Sequence, residues 1–98
     1  MSLETLISSN IRLILLRAME EAPGYSLNES ILHTVVNKFG HNVNRDRIKT
    51  ELSWLREQGL ISTEEVVGYY IATLTTRGAD IATGRSTIPG VERPSPRS

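Results

Sequence analysis

Ninety-eight residues, 39% of them apolar, suit one small domain with a modest core. Eleven basic and eleven acidic side chains cancel, so no global field holds a polyanion, and any nucleic-acid contact must come from local clustering. The absence of cysteine excludes disulfides, thiolate nucleophiles and the usual structural zinc sites, and no apolar run nears the roughly 20 residues a bilayer requires. With no signal-peptide pattern at the start, the expectation is a soluble, cytoplasmic protein without membrane contact.

In chain order, "SLETLISSNIRLILLRAMEEAPG" carries apolar residues at Leu3, Ile7, Ile11, Ile14, Leu15 and Ala18, a helical period that stops at Pro23-Gly24. Ser8 to Asn10 form either a polar patch or a break. Leu6, Leu13 and Leu16 fall on the opposite side, so the helix is apolar nearly all round and must be buried twice. Two readings satisfy that condition: a central place in the domain, or a dimer interface through Leu6, Leu13 and Leu16.

Residues 25–27 are read as a very short strand, followed by a helix that Asn28 caps and on which Ile31, Leu32, Val35, Val36 and Phe39 form an apolar stripe ending at Gly40. "GHNVN" is a turn. Asn44 then caps a third helix, whose Ile48, Leu52 and Leu55 share one arc and which Gly59 stops. Two β-branched stretches on either side of Gly68 predict a hairpin, with Tyr70, Ala72 and Leu74 on one face and Leu74 inward. Thr75 caps a last short helix ending at Gly84. From Arg85 onward, three prolines and little apolar content predict a flexible tail over 85–98, leaving the domain at 1–84.

This order, "LSWLREQGLI" followed by "LTTRGADIA", resembles the L-x-x-L-x-x-x-G-L-I and L-T-x-x-G-x-x-x-A signatures of bacterial winged-helix regulators of the MarR and ArsR kind. The chain is also similar to small winged-helix proteins of Mu-like prophages, whose pattern takes in the tail "TGRSTIPGVERPSP". The resemblance implies a mainly α, α+β winged helix-turn-helix: a three-helix core, a two-stranded wing and a short C-terminal helix. It also implies DNA binding and transcriptional regulation.

From Lys38 to Arg56 five basic residues face two acidic ones, a local net charge of +3. A helix of this kind fits the major groove by its N-terminal half, where arginine suits guanine and asparagine suits adenine. Asn42, Asn44, Arg45, Arg47, Lys49, Thr50 and Arg56 are the expected DNA contacts, against the plainer reading of a solvated helix face. Ser26 and Asn28 either contact phosphate or simply cap the second helix. Trp54 is expected as a partly buried strut against the hairpin near Ile71, with base stacking as the other reading.

Glu64 and Glu65 at the hairpin tip repel phosphate, so either the wing stays clear of DNA or this surface binds a protein. His33 is expected on a solvated face, and His33 with His41 lacks the spacing of a metal site. Neighbouring glutamates diverge, and no phosphate-cradling glycine loop is present, so neither enzyme chemistry nor a cofactor is expected. Two functions remain: a DNA-binding homodimer, or an adaptor in a phage or prophage complex that binds a phage or host protein and not DNA.

Overall fold

Ser2 opens the first helix, α1 (Leu3–Glu21), by accepting a hydrogen bond from the Thr5 amide at 3.1 Å. The computed structural model describes residues 2–95. α1 runs unbroken through Ser8–Asn10, so that stretch is a polar patch on a continuous helix. Its Ile11, Leu15, Leu16 and Met19 are fully buried, and Leu13 is 5% exposed. Both sides of the helix are therefore covered by the protomer itself. This corrects the dimer expectation at Leu13 and Leu16, because an all-round apolar helix has found its second cover in the later helices and the sheet of the same chain. Leu6 remains 49% exposed.

After a single 3-10 turn (Pro23–Tyr25), β1 (Ser26–Asn28) leads directly into α2 (Glu29–Lys38), capped by Asn28, whose side chain accepts from the Ile31 amide at 2.8 Å. α3 (Arg45–Glu57) is capped in the same way by Asn44, which accepts from the Arg47 amide at 2.9 Å. The turn between them is held by α2 side chains. His33 Nε2–H donates to the Val43 carbonyl at 2.8 Å, and Asn37 both donates to that carbonyl and accepts from the Val43 amide. His33 is thus half-buried and structural, not a solvated face residue, because the turn folds back over it.

β2 (Ile61–Val66) and β3 (Tyr69–Leu74) form the predicted hairpin around Val67 and Gly68, whose φ values of 50° and 80° give the sign pattern of a type I′ turn. β1 adds to the far side of β3, giving a three-stranded antiparallel sheet in the order β1-β3-β2, one strand more than the hairpin alone. Ala72 and Leu74 face the core and Tyr70 shares their side, as alternation predicts. α4 (Thr76–Thr83) starts at Thr75, which accepts from the Gly78 amide at 3.0 Å and donates to the Gly59 carbonyl at 2.8 Å. Gly78 passes so near the preceding loop that a Cβ there would lie 2.0 Å from the Leu60 carbonyl oxygen. The glycine of the L-T-x-x-G pattern is required by that backbone approach.

Residues 85–95 do not extend away from the domain as a flexible tail. Val91 is 7% exposed, Ile88 packs on the core, and the Glu92 amide donates to the Ser9 carbonyl at 3.2 Å. Two apolar side chains and a few backbone bonds suffice because α1 offers a ready surface; residues 96–98 of the expected tail lie outside the described residues. The described chain is an α+β domain of four helices and one small sheet. No helix among the described residues is long and apolar enough to cross a membrane.

Candidate nucleic-acid interface

Burying Ile48, Leu52 and Leu55 leaves α3 with two outer flanks, and the structure treats them differently. On one flank Glu51, 3% exposed, receives two guanidinium groups: Arg12 Nε from α1 at 2.7 Å and Arg47 Nε from its own helix at 2.8 Å. Arg47 also reaches α1 through Nη2, donating to Glu4 at 2.7 Å and to the Ser8 hydroxyl at 2.8 Å. Burial works against the Arg47 charge, but the hydrogen bond and charge of Glu51, followed by Glu4, outweigh it and raise its pKa. Arg47 therefore stays ionised, with Nε and Nη2 committed inside the fold.

The same flank continues through Trp54. Arg12 lies over its indole, 3.9 Å from guanidinium carbon to ring centroid, and also donates to the Gly90 carbonyl at 3.0 Å. Gly90 approaches so closely that a Cβ would sit 2.7 Å from Trp54 Cζ2. Trp54 is a strut, as expected, but it braces α1 and the tail instead of the hairpin near Ile71. Alternation places Ile71 on the outer side of β3, paired with Asn28 and Glu64, out of its reach.

The opposite flank carries Arg45, Lys49 and Arg56 at i, i+4 and i+11, which a helical repeat of about 3.6 residues brings into one line. All three are exposed. Arg45, with a side chain 54% exposed, leans on the buried Glu29 at 3.1 Å. Lys49 takes part in none of the ion pairs among the described residues. Arg56 Nη1 donates towards the Thr63 hydroxyl at 3.3 Å and the Tyr70 hydroxyl at 3.4 Å, so this flank fronts the hairpin. Tyr70 and Thr63 were not singled out by the sequence; the signal is their position on the same strand faces as the core residues Ala72 and Ile61.

Of the remaining expected contacts, Asn42 is exposed, Asn44 is exposed but spends its carbonyl oxygen on the cap, and Thr50 is exposed and donates to the Asp46 carbonyl at 3.1 Å. Ser26 shares a hydrogen bond with the Thr73 hydroxyl across the sheet, and Asn28 caps α2. Both are occupied within the fold, but only Asn28 as the expected cap; Ser26 serves the β1–β3 pairing instead. Glu64 and Glu65 point to opposite sides of the sheet, with Glu65 opposite Tyr70. Only one of the two acidic groups therefore faces the α3 side.

The exposed arc between the flanks also carries Asp46 and Glu57, so the positive ridge is a line along one edge of α3 and not a continuous face. Glu51 adds to this by drawing Arg47 away from solvent, while Glu4 and Ser8 pin it to α1.

No protein-family model matches the chain, and no solved structure matches it. It is 45% identical over 78 residues to an uncharacterized protein of Haemophilus influenzae, spanning 79% of this chain and 76% of that protein. It is 41% identical over 93 residues to the uncharacterized protein gp26 of Escherichia phage Mu, spanning 95% of this chain and 96% of that protein. At that identity over nearly the whole of both sequences, the chain belongs to the family of phage Mu gp26.

Proposed function

We propose that this protein is a winged helix-turn-helix protein that binds duplex DNA as a homodimer and acts in transcriptional regulation. α2 and α3 form its helix-turn-helix and the β2–β3 hairpin its wing. The single observation that supports the reading is the line of Arg45, Lys49 and Arg56 along the exposed edge of α3, facing the hydroxyls of Thr63 and Tyr70. A helix edge of this kind tracks a phosphate backbone, and Asn42, Asn44 and Thr50 at its N-terminal half lie where base edges are read. Arg47 is left out of the contact set because its Nε and Nη2 already serve Glu51, Glu4 and Ser8.

Fluorescence anisotropy with a mixed-sequence duplex tests this. Binding at low salt should weaken steeply as salt rises, with a log–log slope of about −0.9 for each phosphate contacted. The double change Lys49→Ala and Arg56→Ala should weaken retention and flatten that slope. A chain that retains no duplex even at low salt overturns the proposal. The second reading, an adaptor that binds a protein instead of DNA, is favoured by one observation, the neutralisation of Arg47 by Glu51 and Glu4.

A further inference from the structure

On the side of the domain away from α3, the C-terminal half of α1, β1, α2 and residues 92–95 enclose an open cleft of about 730 Å³. No α3 residue lines it. Leu13, Ile14, Ala18, Leu27 and Val35 supply apolar walls. Phe39, at the rim, is 70% exposed, an unusual condition for a large aromatic beside an apolar hollow. Arg17 and Glu21 also line the cleft, both exposed and one helical turn apart on α1, and neither takes part in any ion pair among the described residues.

Knob and hole on one face, with opposite charges on one helix, is the pattern that a two-fold contact requires. In such a contact residue i meets residue j while j meets i. A small ligand would use the hollow but leave Phe39 in water. A second copy uses both.

We propose that the cleft seats a second copy of this chain. Phe39 of each protomer enters the cleft of its partner, and Arg17 of each meets Glu21 of the other. This deepens the dimeric part of the functional reading by naming its surface, which leaves the basic edge of α3 uncovered in both protomers. Of the residues expected at an interface, it keeps Leu13 as a wall of the cleft and leaves out Leu16, which is fully buried.

Sedimentation equilibrium of the full chain without DNA is the test. The wild type should be a dimer, and Phe39→Ser should be a monomer with an unchanged circular dichroism spectrum, because so exposed a side chain adds little to the fold. Arg17→Glu and Glu21→Arg should each raise the dimer dissociation constant by about tenfold or more, since each sets like charges against each other. The double change Arg17→Glu with Glu21→Arg should bring the dimer back, because the swap restores both pairs. A wild type that stays monomeric at high concentration overturns the proposal, whether or not an apolar dye enters the cleft. So does a dimer indifferent to Phe39→Ser, or one that the charge swap fails to restore. DNA binding is read separately by anisotropy: a dimer that ignores DNA sinks the DNA reading alone, and a monomer that retains DNA sinks this proposal together with the dimeric part of the functional reading while leaving DNA binding itself standing.

Discussion

The two flanks of α3 have similar cations and opposite fates. Arg47 and Arg45 are two residues apart and each meets a buried glutamate, yet the Arg47 side chain is 25% exposed and the Arg45 side chain 54%. The difference is what stands opposite. Arg47 faces α1, which offers Glu4 and Ser8 and whose Arg12 shares Glu51 with it. Arg45 faces the short β1–α2 junction, where Glu29 holds it by one contact. A count of positive charges on a helix is thus a poor guide to its field; the carboxylates of neighbouring elements decide which charges reach solvent.

The comparison breaks most sharply at Glu51. A carboxylate shared by two guanidinium groups and 3% exposed cannot be removed without leaving those charges uncompensated. Glu51→Ala should cost about 3 kcal/mol of stability, read from the urea midpoint; an unchanged midpoint would show that the closed flank is not held together there. Gly90→Ala comes next. Its Cβ would press on the Trp54 ring from a backbone with φ of 98°, and a loss of about 2 kcal/mol is expected, with faster proteolytic cleavage after Arg85 as the tail lifts.

Smaller effects sharpen the contrast. Arg47→Ala should lower stability by about 1 kcal/mol, since Glu51 keeps Arg12, and should change duplex affinity by less than about twofold. A large loss of affinity with unchanged stability would return Arg47 to the contact set. Lys49→Ala should move stability by less than about 0.5 kcal/mol while reducing the salt slope of binding by about 1. If both variants behave alike in both measurements, the two flanks are not functionally distinct.

Much of this architecture was legible in local sequence. Asn28, Asn44 and Thr75 cap the helices assigned to them, Gly68 turns the hairpin, and the apolar arc of α3 is its buried face, while the α2 stripe is buried at Leu32 and Val36 but leaves Ile31 and Phe39 exposed. The short strand before α2 exists one residue later than read, at Ser26–Asn28, paired with β3. The candidate site was legible as a list of side chains but not as a surface. Its cations were named correctly by type, while the partner of Arg47 on α1 lies 43 residues away and the Gly90 partner of Arg12 lies 78 residues away. His33 and residues 85–95 were misjudged for the same reason, since each is ordered by a surface that a remote segment provides.

By itself, then, the sequence determined where helices begin and end, which faces are apolar and that a hairpin follows α3. Caps, periodicity and turn glycines act between residues a few positions apart, so they survive in a linear reading. Only the tertiary structure decided that Glu51 turns one arginine inward, that Trp54 braces the tail, and that Arg45 alone on α3's open edge meets a carboxylate among the described residues. Charge interactions and close packing depend on distances in space, and those exist only after α1 has crossed α3 and the chain end has come back over both.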